Sequence, residues 1–259
     1  MARVSVITIV KNHVAGLAAT HKSLLEQSFY DWEMIIVIGV SSDATVVLAK
    51  DLQRMDARIL VLEQKNSGIY EAMNEGLASA SGEFTWFMNA GDRFASTSTL
   101  ASAVERISQN NEGAIVGGYR IEGSSQNKTY SYSTRDINSL RFAFNRRGGC
   151  HQAMIFRTKF LKELGGFDTS YSLAADFDLV LRVIQNYKAS RNSEIYASIE
   201  PGGRADREIF LVHNQKHLIR KNLLNGRILV LASFLWTALA RIKITLRRII
   251  RCLVRRKLQ

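Results

Sequence analysis

The fold is decided by the stretch Phe84-Thr85-Trp86-Phe87-Met88-Asn89-Ala90-Gly91-Asp92. Its first five residues form an apolar run typical of a buried strand, which ends abruptly in an amide, two small residues and a carboxylate. Ligands of α/β sheets bind beyond the carboxyl ends of the strands. Asp92 is therefore expected at the mouth of a site, where a hard cation and a phosphate could be held. Taken alone, it could also be a turn residue that caps the next helix.

Strands and helices alternate on both sides of this stretch. Before it, the pattern predicts strand 4–10, helix 15–27, strand 34–38, helix 44–55, strand 58–62 and helix 68–79. After it, we predict strands at 114–119, 152–156 and 194–199, and helices at 97–108, 159–164, 174–185 and from about 206 onward. This βαβαβαβ order implies an α/β fold whose mostly parallel central sheet is covered by helices on both faces.

Composition indicates one domain with an appendage. The chain has 259 residues, of which 46% are hydrophobic. Cys150 and Cys252 lie too far apart for a disulfide framework or a metal knuckle, so we expect a reducing compartment. Residues 1–4 lead directly into a strand without the apolar stretch of a secretory leader, and we expect a cytoplasmic protein.

Charge is distributed unevenly along the chain. The net charge is +12, and no acidic residue follows Glu208. Residues 209–259 carry twelve of the 35 basic residues, which leaves 23 basic and 23 acidic residues in residues 1–208. We therefore predict a neutral domain over residues 1–208 and a basic tail over residues 209–259 with an acidic partner, either membrane or nucleic acid.

The pattern of the tail favours a membrane surface. Residues 228–240 form an uncharged run of thirteen residues, which is shorter than the roughly 20 needed to cross a bilayer. Beyond it, helical spacing places one apolar and one basic stripe, namely Ile242, Leu246, Ile249, Ile250 and Leu253 against Lys243, Arg247, Arg251 and Arg255. Such a helix suits the anionic inner face of the cell membrane. The alternative is a helix packed on the domain; nucleic acid is disfavoured because no recognition module accompanies the charge.

Five segments in order resemble the family 2 glycosyltransferases, which share the GT-A fold, and in particular bacterial members that build surface polysaccharides and glycolipids. The resemblance spans roughly residues 3–205. Its segments are Val6-Ile7-Thr8-Ile9-Val10-Lys11-Asn12, Ser67-Gly68-Ile69-Tyr70-Glu71-Ala72-Met73-Asn74-Glu75-Gly76, Phe87-Met88-Asn89-Ala90-Gly91-Asp92, Cys150-His151-Gln152, and Gly165-Gly166-Phe167-Asp168 with Ala174-Ala175-Asp176-Phe177-Asp178.

The resemblance implies an inverting transferase that uses a nucleotide-diphosphate sugar and a lipid-linked or oligosaccharide acceptor. The family's metal-binding carboxylate motif falls on residues 89–92, where Asn89 replaces the leading carboxylate and Asp92 remains. One carboxylate can still hold Mg²⁺ or Mn²⁺ together with the donor diphosphate and water. The ion's task is to stabilise charge on the departing nucleoside diphosphate.

The family's catalytic base falls on Asp176, which would take a proton from the attacking acceptor hydroxyl. Asp176 opens an apolar helix, where the helix dipole favours its charged form. Without the resemblance, it reads as an ordinary first-turn acid. Asp178 lies two positions on, faces elsewhere on the helix and is interpreted as structural.

Further site residues are assigned to the donor or the acceptor side. The resemblance places His151 and Gln152, at the start of a predicted strand, on the acceptor side, although a lone histidine is more often structural. The loop Gly202-Gly203 could approach a phosphate through backbone amides or be an ordinary turn. The predicted donor-binding residues are Thr8, Lys11, Asn12, Asn66, Gly68, Asn89, Ala90 and Gly91.

Two positions depart from the family pattern. Ile38 stands where the family usually carries an aspartate that reads the nucleotide base or ribose, and Asn66 stands where an aspartate is common. The chain therefore uses another nucleotide, binds UDP through other contacts, or is impaired. A catalytically impaired, membrane-bound binding partner stays an alternative function. A nucleotidyltransferase is a weaker one, because no glycine-rich basic loop follows the first strand.

Overall fold

The predicted alternation of strands and helices is present in the computed structural model, which describes residues 3–110, 112–122, 128–132, 135–144, 150–224, 231–242 and 244–246. The strands are β1 (Val4–Val10), β2 (Trp32–Ile38), β3 (Ile59–Glu63), β4 (Phe84–Phe87), β5 (Arg93–Phe94), β6 (Ala114–Ile121), β7 (Lys128–Tyr130), β8 (Arg135–Asp136), β9 (Met154–Arg157) and β10 (Ala189–Ile199). The helices are α1 (Val14–Leu25), α2 (Thr45–Met55), α3 (Ile69–Ser79), α4 (Thr99–Asn110), α5 (Ser139–Ala143), α6 (Thr158–Glu163), α7 (Ala175–Asn186), α8 (Arg204–Arg207), α9 (Ile209–Leu223) and α10 (residues 231–242).

The strands form one sheet in the order β3-β2-β1-β4-β9-β6-β10-β5, with β7 beside β6 and β8 beside β10. The first four strands of this order are parallel, so that Ile7 of β1 lies between Ile35 of β2 and Phe87 of β4. Strand β9 runs antiparallel between β4 and β6, and β6 and β10 are parallel. The carboxyl ends of β1, β2, β3 and β4 therefore meet at one edge, where a ligand site is expected.

Helices cover both faces of the sheet, which explains why its central strands are apolar without alternation. On one face, Ile7, Val37 and Phe87 pack in a core with α3, α6, α7 and α9. On the other face, Val6, Ile36 and Trp86 pack against α1, α2 and α4. The predicted α/β fold is confirmed.

Several boundaries differ from the sequence prediction, and two of the differences are informative. His151 and Gln152 do not begin a strand: they form a 3₁₀ turn, closed by the Ala153 amide on the Cys150 carbonyl at 2.9 Å, and β9 begins at Met154. Strand β10 begins at Ala189 rather than Glu194. Its first half carries polar side chains that are nevertheless buried, and its register with β6 shifts between Arg191 and Ile195, so it lacks an apolar signal.

Helix α9 lies inside the predicted tail but packs onto the domain. Ile219 belongs to the same core as Phe177 of α7. The Gln215 side-chain oxygen accepts a hydrogen bond from the Leu173 amide at 2.9 Å. The start of the tail region is therefore continuous with the folded domain.

Helix α10 buries polar side chains and exposes large apolar ones, the reverse of the usual arrangement in water. Its polar residues Ser233 and Thr237 are buried, and Ser233 hydrogen-bonds His217 of α9 at 2.9 Å. Its large apolar residues face outward, each more than half exposed. Together with Leu246 of the helical residues 244–246, they are Leu231, Phe234, Leu235, Leu239, Ile242 and Leu246. We call these six residues the apolar face of α10.

Neither α10 nor any other helix in the described part of the chain is both long and apolar enough to span a bilayer. The basic stripe predicted at residues 243, 247, 251 and 255 lies outside the residues whose side chains are described.

Candidate active site

A cleft of about 470 Å³ opens at the carboxyl ends of β1, β2 and β3. Three predicted donor-binding residues, Lys11, Asn66 and Gly68, line it together with Gly39 and Arg204. The Gln64 side-chain amide donates a hydrogen bond to the Gly68 carbonyl at 2.7 Å, which ties the end of β3 to the loop before α3. The structure thus brings these residues into one space that is wide, open and bordered by cations.

Two other predicted donor contacts lie elsewhere. Thr8 is fully buried on the opposite side of β1 from the cleft residue Ile9, and its hydroxyl has no partner. Asn12 has a left-handed backbone with φ of +50°, and its side-chain oxygen accepts from the Ser42 amide at 2.7 Å. Asn12 therefore ties the loop after β1 to the loop after β2.

Ile38, the departure from the family pattern, is buried at the end of β2. The cleft wall after β2 is instead formed by Val37, Gly39 and the highly exposed Val40. This wall offers apolar surface and backbone groups, and no carboxylate that could accept hydrogen bonds from a ribose.

The turn after β4 holds Asp92 below the surface, where it is only 5% exposed. One carboxylate oxygen accepts from the Glu200 amide at 2.9 Å and the other from the Gln152 side-chain amide at 2.9 Å. Burial raises the pKa of Asp92 to about 6, although both hydrogen bonds act in the opposite direction. The charge of His151 lowers the pKa of Asp92, and no lysine or arginine in the described part of the chain forms an ion pair with this carboxylate.

Gly91 is required by the geometry of this turn. Its φ is +100°, and a Cβ atom there would lie 2.0 Å from a Glu200 carboxylate oxygen. That oxygen pairs with the His13 imidazole at 2.9 Å. The Ala90 amide donates to the Ile9 carbonyl at 3.2 Å. These contacts join the Asp92 turn to β1, to the start of α1 and to the end of β10.

Asp176 lies in the first turn of α7, as predicted, and meets His151 and Tyr70. The Tyr70 hydroxyl donates to Asp176 Oδ1 at 3.2 Å, and His151 Nδ1 lies 3.4 Å from Asp176 Oδ2. The other imidazole nitrogen of His151 lies 3.5 Å from the Asn89 side-chain nitrogen. One imidazole therefore spans the distance between the Asn89–Asp92 turn and Asp176.

The surroundings keep Asp176 ionised. Burial alone would raise its pKa, but the hydrogen bond and charge of His151, the charge of Lys216 and the Phe177 amide outweigh this effect. The pKa of Asp176 consequently lies below its ordinary value. An ionised carboxylate is the form that accepts a proton.

Asp178 has a different task, as its position on the helix predicts. Its carboxylate accepts from Arg182 Nε at 2.7 Å, and the same guanidinium donates to the carbonyls of Leu164 and Gly166, each at 2.7 Å. Asn74 of α3 clamps the same loop through both backbone groups of Phe167. These contacts hold the loop before α7, and with it Asp176, against α3.

The side chains near Asp92 can be tested for their fit to a divalent cation. Asn89 Oδ1 is buried and has no hydrogen-bond partner among the described residues, and the Asp92 carboxylate has no lysine or arginine partner among them. Both are oxygen ligands of the kind that Mg²⁺ and Mn²⁺ prefer. In the described part of the chain, no three His, Cys, Asp or Glu residues converge on one point. The residues therefore fit an ion whose remaining ligands come from a bound diphosphate and water.

Several residues of the site escaped the sequence analysis. Tyr70 stands inside a quoted motif, but nothing in that motif indicates a partner 106 positions away. Glu200, His13 and Lys216 gave no signal, because an isolated charged residue in a sequence does not reveal its neighbours. Arg204 could have been suspected, since it follows the Gly202-Gly203 loop considered for phosphate contact.

Comparison with known proteins agrees with this geometry. Residues 5–165 match the family described as Glycosyl transferase family 2. An uncharacterized glycosyltransferase of Mycobacterium tuberculosis is 32% identical over 184 residues, covering 69% of this chain and 68% of that protein. A PGL/p-HBAD biosynthesis glycosyltransferase of Mycobacterium bovis is 28% identical over 183 residues, with 70% of each chain covered.

Solved structures share the fold at low sequence identity. The 1–349 fragment of S. aureus TarS superposes with a TM-score of 0.70 at 20% identity, covering 90% of this chain and 70% of the fragment. The mannosyltransferase PcManGT of Pyrobaculum calidifontis, in complex with GDP-Man and Mn²⁺, superposes with a TM-score of 0.69 at 18% identity, covering 92% and 70%. The chain therefore belongs to the glycosyl transferase family 2 and has the GT-A fold, as the resemblance of its motifs predicts.

Proposed function

We propose that the chain transfers a sugar, with inversion, from a nucleotide-diphosphate donor to a lipid-linked or oligosaccharide acceptor in the synthesis of a cell-surface polysaccharide or glycolipid. One observation carries the proposal. His151 lies between Asp176 and Asn89, so that a carboxylate suited to a base and a turn suited to a cation share one site.

The donor would occupy the cleft beside Lys11, Asn66 and Gly68, with its diphosphate directed toward the Asn89–Asp92 turn. Lys11 and Arg204 supply positive charge along this path. Related folds hold UDP in one case and GDP-Man in another. Because none of the residues that line the cleft is an acid, we expect the base and ribose to be held by backbone groups and apolar contacts.

Asp92 and Asn89 Oδ1 would hold a Mg²⁺ or Mn²⁺ ion, and such an ion neutralises charge on a departing nucleoside diphosphate. Asp176 takes the proton from the acceptor hydroxyl as its oxygen attacks the anomeric carbon. The bond from that carbon to the diphosphate oxygen breaks on the opposite side, which inverts the configuration. His151 and Tyr70 fix the orientation of the Asp176 carboxylate for this step.

The apolar face of α10 supports a peripheral position on the membrane. Six large apolar side chains point outward while Ser233 and Thr237 are buried, an arrangement that is unfavourable in water and favourable against acyl chains. The twelve basic residues of 209–259 add attraction to anionic lipid. We propose the inner face of the cell membrane as the location, with the tail docked and not inserted across it.

The catalytic proposal is tested with Asp176→Asn, which keeps the shape of the side chain and cannot accept the proton. We expect turnover to fall by at least about a hundredfold, with the affinity for donor nucleotide unchanged. The matched control is Asp168→Asn, an exposed acid eight residues earlier that should keep full activity. Loss of nucleotide affinity in Asp176→Asn would place this residue on the donor side and overturn its assignment as base. Donor hydrolysis by the unmodified protein separates an enzyme from a non-catalytic relative.

A further inference from the structure

Arg220 of α9 is a buried cation that has no counter-ion among the described residues. Its side chain is only 3% exposed, its Nε donates to the Ala143 carbonyl at 2.7 Å, and its guanidinium lies between the rings of Phe144 and Phe177. Its Nη1 atom is buried and has no hydrogen-bond partner. Burial lowers the pKa of Arg220 to about 10, and none of the described carboxylates offsets this effect. Because an unpaired buried charge is costly, an anion bound beside Arg220 would be stabilising.

A second cation shares the same aromatic wall. Lys216 lies one turn earlier on α9, with its Nζ 5.0 Å from the centre of the Phe177 ring, where the Arg220 guanidinium is also found at 5.4 Å. The charge of Lys216 acts on Asp176. The Phe177 ring therefore lies beside both cations, and one of them, Lys216, also acts on the proposed catalytic base.

Unpaired polar atoms continue toward α10. Ser233 of α10 hydrogen-bonds His217 of α9. Thr237 lies one turn after Ser233, and His213 lies one turn before His217. Thr237 Oγ1 and His213 Nδ1 are both buried and have no hydrogen-bond partner in the structure. The charges of Lys216, Arg220 and Arg241 reach His213, and burial together with these charges lowers its pKa.

The chemistry of this group matches a phosphate. It offers three cations, further polar atoms that have no partner among the described residues, and aromatic rings beside the Arg220 guanidinium. It has an open side, because Lys216 and His213 are partly exposed and Arg241 is exposed. Lys216 acts on Asp176 and Thr237 belongs to α10, so the group links the proposed base to the helix that carries the apolar face.

We propose that Lys216, Arg220 and Arg241, with His213 and Thr237, bind the phosphate or diphosphate group of a lipid-linked acceptor. The lipid chain would leave along the apolar face of α10, and the sugar would extend toward Asp176. This inference rests on the proposed function, because it names how a lipid-linked acceptor is recognised. The same anion chemistry could come from a lipid or from free diphosphate, and the test separates the two.

The test measures binding of the full chain to phosphatidylcholine vesicles that carry an isoprenyl phosphate, to vesicles with phosphatidylglycerol at matched charge, and to inorganic pyrophosphate. Arg220→Met and Lys216→Gln should each weaken binding to the isoprenyl phosphate by about tenfold, the effect of one charge-assisted contact. Lys221→Gln removes an exposed cation next to Arg220 on α9 and is the control. It should weaken binding to both kinds of charged vesicle equally and keep the unmodified protein's preference for the isoprenyl phosphate. UDP and GDP affinities should stay the same in all three variants.

Each outcome is decisive. Equal binding to both kinds of charged vesicle, unaffected by the two substitutions, would mean diffuse attraction and would overturn the proposal. Pyrophosphate binding as tight as that of the isoprenyl phosphate, and lost in both variants, would support the anion site but assign it to a soluble ligand. If Arg220→Met fails to fold, Lys216→Gln tests the proposal alone, because Lys216 is more exposed than Arg220 and its substitution should leave the fold intact. Absence of any nucleotide binding by the unmodified protein would instead count against the proposed function.

Discussion

The double substitution Phe234→Ser with Leu239→Ser tests whether the apolar face of α10 enters lipid. These side chains are 59% and 60% exposed, and the Phe234 ring packs edge-on against His217 of α9. Fully burying a leucine or phenylalanine contributes about 1.5–3 kcal/mol. Transferring the exposed part of each into acyl chains should therefore contribute about 1–2 kcal/mol. Losing both should cost about 2–4 kcal/mol, a weakening of membrane partition of about 30- to 700-fold.

Salt separates this apolar contribution from the electrostatic one. Attraction between the basic tail and anionic lipid is screened at high ionic strength, whereas burial of apolar surface is not. Co-sedimentation with vesicles of phosphatidylcholine and phosphatidylglycerol should show that the unmodified protein detaches only partly at high salt. The double variant should detach almost completely, with an unchanged melting temperature.

A matched control is available on α2. Val47 and Met55 are 60% and 83% exposed, so Val47→Ser with Met55→Ser removes a similar apolar area elsewhere on the surface. This control should bind vesicles as the unmodified protein does. If the α10 variant keeps its high-salt binding, or the α2 variant loses as much, the apolar face of α10 does not contact lipid and the reasoning from its burial pattern is refuted.

Three further predictions concern the site. Asp92→Asn should weaken Mn²⁺ binding in the presence of UDP or GDP at least about tenfold, as titration calorimetry would measure, and an unchanged Mn²⁺ affinity would contradict the assignment. Arg182→Met should lower the free energy of unfolding by about 3–5 kcal/mol, because it leaves the buried Asp178 carboxylate unpaired; denaturant unfolding checks this, and a loss below about 1 kcal/mol would contradict it. The lowered pKa of Asp176 means that its stabilising contribution is complete above the unfolded value of about 3.9 and is lost as the pH falls through the folded value. The stability advantage of the unmodified protein over Asp176→Asn should therefore shrink on acidification, and an advantage that grows toward low pH would argue against an ionised Asp176.

The order of strands and helices was readable from the sequence because it depends on local patterns. Central parallel strands are buried on both faces, so the runs at 4–10, 34–38 and 84–88 are apolar without interruption. The prediction failed where burial involved polar residues, as in the first half of β10, and where a short turn interrupted an apparent strand, as at His151. The position of the site followed from the fold rule that ligands bind beyond the carboxyl ends of parallel strands.

The contacts of the site were decided only by the tertiary structure. Asp176 accepts a hydrogen bond from Tyr70, which lies 106 positions earlier in the sequence. The charge of Lys216, on a helix beyond residue 208, also acts on Asp176. Thr8 and Asn12 share a motif with Lys11, yet only Lys11 lines the cleft, because successive strand residues face opposite sides and Asn12 turns into a loop. A sequence pattern records which face of an element is apolar. It does not record which elements pack together, and the packing determines which distant charged and polar groups become partners.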